Sequence, residues 1–579
     1  MKELTQLQEM GYQFSVEQDR VHYNCVDKNV QSSPEIHRLL ESLRQHRELV
    51  KWLLSRPPRA EKAYVAICMD EHGGISWSND GICSHYSLDI GQIEALLADA
   101  SMTKVFYDAV ADVVVLEKLG FQVRNYTSVK EMHQVSTYDA QREGSLLSLS
   151  SELLGCSWRE GSDQCKDVLE KSVLDLYHLC HLLEQQIEER YLERVWHREE
   201  ACLPAIVKLQ QYGIQFNFAG WNVELDRYEK EQQALLQTIQ EECQCPELDV
   251  QSPGQLQMAL WKQGAQVAYV SEKNLEPYAG RILLVDYVLK YKKLQKKLNS
   301  FGTRLQQYID SDGRMRGKWH LIGANTGRMS CTKPNLQGMP RKAKRYFKAA
   351  PGAVYVIGDY SQIELRVIAH MSQDKNMMSN FINREDLHVK TAAAILGKCE
   401  SEVTEEERQI AKAANFGLIY GMTSGGLQKR VQKAYGFELS WAQAEAFRNG
   451  FFSLYPGILR FQDRILRSNE VRTVGGRCWS SKTVQLPLGS AARLNYPIQG
   501  TASEGFKEAL SLLFSKMAPT WKLVAVVHDE VVLEVPESEA AQAITVLKET
   551  MIEGMARLIT SVPIEVDIRV QKQWGSEKP

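Results

Sequence analysis

The chain has 579 residues, of which 44% are hydrophobic and 24% charged, and its net charge is -3. These values predict a soluble protein of several domains, and they exclude nucleic-acid binding through overall basic charge. The 12 cysteines include no CxxC pair, which indicates free thiols rather than zinc ligands. No apolar run approaches the ~20 residues of a membrane helix, and no signal peptide is evident. We therefore expect a cytoplasmic monomer without membrane contacts.

Residues 1–58 read as a small α+β module of unknown role. Residues 11–16 and 20–23 predict a hairpin, and a helix is expected from about 33 to 54. Arg56-Pro-Pro-Arg then breaks the chain. We expect this module to bind a replication or repair partner or DNA, or to be a simple folded extension.

Residues 59–195 read as an α/β domain. Strands are predicted at 62–68 and from 73 to 77, and helices follow. The last of them is expected to be one long helix from about 167 to 200. From 196 onward helices dominate up to about 310, and strands are predicted at 354–358 and 522–527.

Asp359 follows the β-branched run that ends at Gly358, so it lies at the end of a predicted strand. A strand end can hold a carboxylate firmly while leaving it open to solvent and metal. The plain alternative for such an aspartate is a turn or cap residue.

A second acidic site is the tip of the hairpin predicted at 523–535, where His528, Asp529 and Glu530 interrupt two apolar runs. Two acidic groups beside apolar strands are costly unless their charge is compensated. A bound divalent cation would compensate it, whereas a solvated turn is the alternative.

A third segment is a helix that begins with the capping-box sequence Thr404-Glu-Glu-Glu. Arg408, Lys412, Phe416 and Tyr420 recur every four residues and therefore share one predicted helix face. Cations suit a polyphosphate, and rings suit a base and sugar. Exposed charges with two core aromatics are the alternative interpretation.

Together the three segments predict phosphoryl transfer assisted by two Mg²⁺ ions. Carboxylates from separate strands can hold two ions ~4 Å apart. One ion would activate a primer 3′-hydroxyl, and the other would bind the triphosphate and stabilise the leaving pyrophosphate. Arg408 and Lys412 would neutralise phosphate charge.

These segments resemble the motifs of family A DNA polymerases. DYSQIELR at 359–366 resembles motif A, RQIAKAANFGLIYG at 408–421 resembles motif B, and VHDE at 527–530 resembles motif C. Further similarity lies in TGRMS at 326–330, PNLQ at 334–337, DLHVKTA at 386–392 and NYPIQGTA at 495–502. The resemblance is strong over 196–579 and weak over 60–195.

The resemblance implies an α/β multidomain fold. A right-hand polymerase would occupy 196–579, with the thumb at about 196–310, the palm at about 311–372 and 485–579, and the fingers at about 373–484. It would follow a ribonuclease H-like domain of the 3′–5′ exonuclease type. The implied partners are primer–template DNA and deoxynucleoside triphosphates. No 5′ nuclease domain is expected.

The resemblance also assigns site residues. The implied metal ligands are Asp359, Asp529 and the backbone of Tyr360, and the implied catalytic residues are Asp359, Asp529, Glu530 and Lys412. The implied nucleotide-binding residues are Arg408, Lys412, Phe416, Tyr420, His388, Gln362 and Glu364. The implied DNA-binding residues are Arg328, Asn335, Gln337, Asn495, Gln499 and His528.

Glu364 is similar to the family's steric gate, a carboxylate under the sugar that leaves no room for a 2′-hydroxyl. Arg328, Asn495 and Gln499 match residues that face the minor groove, where all base pairs present similarly placed acceptors. The basic stretches at 290–297 and 341–348 are expected to contact phosphates.

The exonuclease-like segment departs from the family, which begins its metal site with Asp-x-Glu on the first strand. In one register Cys68 and Asp70 occupy those two places, and in the other Asp70 and His72 do. Asp112 and Asp175 match later carboxylates, but Lys171 stands where the family has tyrosine. A site short of carboxylates binds Mg²⁺ poorly. We therefore expect a structural domain without proofreading.

Two alternatives to DNA-templated synthesis remain at this point. One is substantial RNA-templated activity, since Glu364 constrains the incoming nucleotide and not the template. The other is a non-catalytic DNA-binding scaffold, which the retention of Asp359, Asp529, Arg408 and Lys412 argues against. Replication, repair and lesion bypass are all compatible with the sequence.

Overall fold

The structure is a computed structural model, and it describes residues 7, 10, 12–17, 20–25, 36, 40, 63–70, 74–137, 144–155, 165–480 and 489–575. Strands β1 (Tyr12–Glu17) and β2 (Arg20–Cys25) pair antiparallel, which confirms the predicted N-terminal hairpin. The helix predicted at 33–54 lies outside the described residues, except at positions 36 and 40, which are helical.

A five-stranded sheet organises the next region and confirms the α/β prediction. Its strands are β3 (Tyr64–Met69), β4 (Ile75–Ser78), β5 (His85–Ser87), β6 (Thr103–Phe106) and β7 (Tyr126–Ser128). Their spatial order is β5-β4-β3-β6-β7, with β3, β6 and β7 parallel and the β3–β4–β5 edge antiparallel. The surrounding helices are α1 (Ile90–Ala98), α2 (Ala109–Lys118), α3 (Val129–Thr137), α4 (Leu146–Leu154) and α5 (Cys165–Glu189).

The prediction of one helix from 167 to 200 was wrong. Helix α5 ends at Glu189, Tyr191 adopts a left-handed φ of 57°, and α6 (Glu193–Tyr212) starts anew. The reason is tertiary packing, because α5 packs on β3 and β4 whereas α6 packs on elements near the C-terminus. Side-chain periodicity alone carries no information about that change of partner. Since α6 also packs against α2, it crosses the domain boundary predicted at 195.

Helices dominate the middle of the chain, as predicted. They are α7 (Phe218–Glu242), α8 (Pro253–Lys262), α9 (Glu272–Leu275), α10 (Leu283–Phe301), α11 (Arg341–Lys344), α12 (Ile363–Ser372), α13 (Lys375–Ile382), α14 (Leu387–Leu396), α15 (Glu405–Leu418), α16 (Ser424–Tyr435), α17 (Trp441–Leu454) and α18 (Pro456–Arg467). Short strand pairs join β8 (Ile214–Gln215) to β9 (Arg314–Met315), β10 (Lys318–His320) to β11 (Ser330–Thr332), and β13 (Glu470–Arg472) to β14 (Cys478–Ser480). No helix in the described ranges is both long and apolar enough to cross a bilayer.

A four-stranded antiparallel sheet brings distant segments together. It contains β12 (Ala353–Tyr360), β15 (Lys522–Val527), β16 (Glu530–Pro536) and β17 (Val566–Gln571) in the order β15-β16-β12-β17. Helices α19 (Ser490–Lys516) and α20 (Ala540–Ala556) pack together, and α20 lies on β12. A Cβ atom at Gly358 would lie 2.6 Å from Met551 Sδ of α20, so only glycine allows this approach. The close packing fixes β12 immediately before Asp359.

Buried charges join α6, the β13–β14 hairpin and α19. Glu199 accepts hydrogen bonds from Arg477 and Lys507, and none of the three side chains is more than 2% exposed. A Cβ atom at Gly327, where φ is 81°, would lie 2.9 Å from Arg477 Nε. The segment that carries Arg328 is thereby seated on this ionic cluster, and breaking a buried pair of this kind is strongly destabilising.

Candidate active site

Strand pairing places Asp359 and Asp529 side by side at one end of the four-stranded sheet. Asp359 is directly opposite Glu530 across β12 and β16, and the backbone N–H of Tyr360 donates to the carbonyl of Asp529 at 3.4 Å. Burial, together with the charge of Asp359, raises the pKa of Asp529 to about 7. The two segments predicted to supply a paired acidic site therefore do meet, and their paired negative charge would be stabilised by a cation.

Glu530 is held by neighbours that the sequence prediction did not include. Its Oε1 atom accepts from Trp574 Nε1 at 2.9 Å, and its Oε2 atom accepts from Arg569 at 2.9 Å. Lys344 Nζ lies 3.7 Å from the same carboxylate and 4.2 Å from the Trp574 ring centre. Glu530 is thus committed to a structural network beside the two aspartates.

The third predicted segment is helix α15, whose start is as expected. Thr404 caps it, and Thr404 and Glu407 form a capping box. The helix ends at Leu418, so Arg408, Lys412 and Phe416 share its face, while Tyr420 lies in the following turn. The placement of Tyr420 on the helix was therefore wrong, because the helix ends two residues before Tyr420.

A cleft of about 480 Å³ lies between the acidic sheet end and α15. Its lining residues are Arg328, Gln362, Ile363, Glu364, His388, Arg408, Lys412, Phe416, His528 and Asp529. Acidic groups thus line a space that is also lined by two cations and a ring from α15. The buried Oε1 atom of Gln362, a residue of the cleft lining, has no hydrogen-bond partner among the described residues.

Glu364 is fixed in this cleft by two donors. It accepts hydrogen bonds from Arg328 and from the hydroxyl of Tyr420, and its side chain is 18% exposed. Burial, with the charge of Glu364, raises the pKa of Tyr420, so the phenol remains a donor. The carboxylate is therefore held rigidly at the cleft wall.

His388 lines the cleft as an uncharged ring. Burial lowers its pKa to about 4, and Asn415 Nδ2 donates to its Nδ1 atom at 2.9 Å. The ring proton is then on Nε2, which can donate to an anion. Arg408, in contrast, is paired with Asp386 at 3.0 Å at the start of α14.

The remaining predicted DNA-binding residues lie outside the cleft lining. Asn335 caps the turn at Gly338, and Gln337 donates to the carbonyl of Val526 at 3.3 Å, so both have structural contacts. Asn495 and Gln499 lie on α19, where the buried Oδ1 atom of Asn495 has no partner among the described residues. A hydrogen bond also links Gln499 to Tyr420.

The two basic stretches are partly used within the protein. Lys297 of α10 lies 4.1 Å from the Tyr228 ring centre, and Lys344 of α11 faces Glu530. Lys290, Lys293 and Lys296 line an open groove that also includes Lys433 of α16. The groove also contains Glu272, Glu276 and Asp286, and Lys433 pairs with both glutamates, so its positive charge is partly neutralised.

A second acidic cluster lies in the five-stranded sheet. Cys68, at the end of β3, feels the charges of Asp112 and Asp175, and burial is the main cause that raises the pKa of its thiol to about 12. Burial, with the charge of Asp108, raises the pKa of Asp112 to about 7. Asp70 accepts from the Tyr86 hydroxyl at 2.8 Å and from the Gly74 N–H at 2.7 Å. These contacts favour the alignment of the Asp-x-Glu pattern in which Cys68 takes the place of the aspartate and Asp70 the place of the glutamate.

Sequence reasoning missed Arg569, Lys344 and Trp574 as neighbours of the paired carboxylates. The alternation of residues 566–571 is a signal that could have predicted β17, but not its pairing with β12. Within the described part of the chain, no three His, Cys, Asp or Glu side chains form a metal site on their own.

The family model for DNA polymerase family A matches residues 223–576. DNA polymerase I of Aquifex aeolicus is 36% identical over 319 residues, which cover 54% of this chain and 53% of that protein. DNA polymerase I of Streptococcus pneumoniae serotype 4 is 29% identical over 433 residues, which cover 69% of this chain and 48% of that protein. The chain thus spans about half the length of these relatives.

Among solved structures, the POL domain of Pol1 from M. smegmatis in complex with DNA primer-template and dNTP is similar in fold. The TM-score is 0.78 at 21% identity, and the match covers 88% of this chain and 95% of the other. The similarity extends over most of the described elements.

Proposed function

Because this chain belongs to DNA polymerase family A and has a right-hand polymerase fold, we propose that it extends a primer on a DNA template. It adds deoxynucleoside triphosphates to the 3′-hydroxyl and releases pyrophosphate. The observation that carries the proposal is the cleft where Asp529, beside Asp359, shares one space with Arg408 and Lys412. This arrangement matches the charge distribution of a triphosphate that reacts at a metal-bound end.

The donor set at the sheet end fits Mg²⁺. Asp359 and Asp529 offer carboxylate oxygens, which this cation prefers. Burial, together with the charge of Asp359, raises the pKa of Asp529, and a cation would stabilise its charged form. Asp359, Asp529 and the backbone carbonyl of Tyr360 would hold two Mg²⁺ ions, whose chemistry is to activate the hydroxyl and balance charge on pyrophosphate. Solvent and substrate oxygens would complete the coordination.

Residues of α15 and α14 act on the triphosphate. Arg408 would exchange Asp386 for phosphate oxygens, Lys412 would neutralise charge and donate a proton to pyrophosphate, and His388 Nε2 would donate a hydrogen bond. Phe416 would pack against the sugar and Tyr420 near the template base. When a correct base pair forms between the template and the incoming nucleotide, movement of α15 would bring these groups together.

Glu364 would exclude ribonucleotides. Two donors hold its carboxylate at the cleft wall, so it cannot move aside easily for a 2′-hydroxyl. Arg328, Asn495, Gln499 and His528 would face the primer–template, and the lysine groove on α10 would contact its phosphates. The M. smegmatis domain of similar fold was solved with DNA primer-template and dNTP, which supports the proposal that this chain binds DNA.

The division into thumb, palm and fingers is part of the proposal. The four-stranded sheet unites β12 with β15–β17, as a palm formed from about 311–372 and 485–579 requires. The helices between these segments would then be the fingers at about 373–484, and residues of about 196–310 would form the thumb.

A primer-extension assay tests the proposed function. The purified protein with Mg²⁺ and four deoxynucleotides should extend a labelled DNA primer on a DNA template, and an RNA template in parallel measures RNA-templated activity. If a folded protein extends the primer on neither template, the proposal is rejected and a non-catalytic scaffold is favoured. Faster extension on RNA would change the assigned template.

We also propose that the five-stranded region has lost 3′–5′ exonuclease activity. The support is Cys68, whose thiol is neutral at physiological pH because its pKa is raised, at a place where a metal-binding carboxylate is required. A mismatched primer should remain intact in the absence of deoxynucleotides. Degradation that Asp112→Ala abolishes would contradict this.

A further inference from the structure

Three acidic side chains lie abreast on one face of the four-stranded sheet. Glu530 and Asp567 are each directly opposite Asp359, on β16 and β17 respectively. Directly paired residues share a face, and side chains alternate along a strand. Arg569, two residues beyond Asp567 on β17, is therefore the basic residue that the register places on this acidic face.

The guanidinium of Arg569 reaches two of these carboxylates. Its Nη2 atom lies 2.9 Å from Glu530 Oε2 and 3.7 Å from Asp359 Oδ2, and its side chain is 22% exposed. Trp574 holds the other oxygen of Glu530 at 2.9 Å. A partly buried cation in such contact is screened less by salt than a surface pair is.

We propose that Arg569 is a positioning residue that tunes how tightly the active-site carboxylates hold divalent cations. Its positive charge offsets part of the charge of Asp359 and opposes an incoming metal ion. Its hydrogen bond to Glu530 keeps that carboxylate with Trp574 and away from the metal. The inference rests on the proposed function, in which Asp359 is a metal ligand.

The charge on Arg569 has a direct consequence for metal affinity. A fixed cation and a divalent ion that share Asp359 repel each other, so removing the fixed charge should tighten metal binding. Lys344, the other nearby cation, contacts Glu530 at 3.7 Å and stacks on Trp574, so it supports the same network from the Glu530 side. Lys344 also feels the charge of Asp359, and Arg569 makes an ion-pair contact with that carboxylate at 3.7 Å.

Mn²⁺ binding to the full chain, followed by electron paramagnetic resonance of the free ion, tests this. Arg569→Gln should bind Mn²⁺ about threefold to tenfold tighter than the wild type, because one cation near the site is gone. Arg569→Lys, which keeps the charge, should stay within about twofold of the wild type. Arg557→Gln removes an exposed arginine that pairs with Glu508 and Glu553, and it is the matched control with unchanged binding.

Unchanged or weaker Mn²⁺ binding by Arg569→Gln would overturn the proposal. Asp359→Asn identifies the site: the Mn²⁺ binding that is compared between the wild type and the Arg569 variants must disappear in this variant. Arg569→Met provides a second neutral side chain of similar length should the glutamine variant melt early, and it should also bind tighter.

A Mg²⁺ titration of single-nucleotide extension separates this proposal from the function itself. Half-maximal extension by Arg569→Gln should occur at about threefold to tenfold lower Mg²⁺. A wild type that binds Mn²⁺ but does not extend primers would reject the proposed function, whereas the Mn²⁺ comparison would still decide the role of Arg569.

Discussion

The protein contains two acidic clusters, one at the strand ends of the four-stranded sheet and one formed by residues of α2 and α5 beside β3, and they differ in what surrounds them. Asp529 and Asp112 are alike in that burial and a neighbouring carboxylate raise the pKa of each to about 7. Around Asp529 lie Arg328, Arg408 and Lys412 across an open cleft. Around Asp112 lie the neutral thiol of Cys68, the carboxylates of Asp108 and Glu131, and Lys130, whose ammonium is paired with Asp108 at 2.7 Å and not free for a substrate.

This difference shows that a buried carboxylate is not sufficient for metal chemistry. The cluster near α15 keeps two aspartates together and provides cations where substrate phosphates would lie. The cluster near β3 has a thiol in place of one anion, which reduces its attraction for a hard cation. The same pKa shift therefore accompanies opposite functional expectations.

The largest effect should come from removing one aspartate of the first cluster. Asp359→Asn or Asp529→Asn should slow single-nucleotide incorporation by about 10³-fold or more, because metal ions contribute several kcal/mol of charge stabilisation. Rapid-quench measurement of incorporation checks this. Asp175→Asn, the matched change in the second cluster, should leave the rate within about twofold. Equal losses in both clusters would contradict the comparison.

A smaller effect concerns the sugar. Glu364→Ala should improve ribonucleotide use relative to deoxynucleotide use by roughly 5- to 150-fold, the range expected when a clash of about 1–3 kcal/mol is removed. The ratio of kcat/KM for the two nucleotides measures it. Glu364→Gln preserves the bulk of the side chain and should retain most of the discrimination. Unchanged discrimination in the alanine variant would show that another group faces the 2′ position.

The smallest effect concerns stability and pH. A carboxyl with a raised folded pKa binds its proton more tightly in the folded state, so its contribution to stability is complete below its unfolded pKa and is lost as the pH rises to about 7. Asp529→Asn and Asp112→Asn should therefore each raise the Tm at pH 8 without metal, by roughly 2–4 °C. Melting curves at pH 5 should show little of this gain.

Added Mg²⁺ should separate the two variants in the same assay. It should raise the Tm of the wild type and of Asp112→Asn, since both keep the Asp359–Asp529 site, and it should do so much less in Asp529→Asn. A Mg²⁺ response that depends on Asp112 instead would place metal binding in the five-stranded region and reverse the comparison.

Much of the first cluster could be predicted because its signals are local. The apolar runs before Asp359 and Asp529 predict strands, and Thr404 predicts the start of α15, all of which the structure confirms. The contacts of Arg569 and Lys344 could not be predicted, because they depend on which strands pair and which helix covers them. The break at Tyr191 was missed for the same reason, since it results from packing partners distant in the chain.

Helix α6 has a practical consequence for dividing this protein. Glu199, the anion that Arg477 and Lys507 share, lies six residues after the helix begins at Glu193. A shortened chain that started at residue 196 would begin inside this helix, with one turn or less before Glu199 to hold it in place. Fraying there would leave the buried side chains of Arg477 and Lys507 without their anionic partner Glu199. Fragments meant to retain the proposed activity should therefore include the whole of α6, together with the turn at Tyr191.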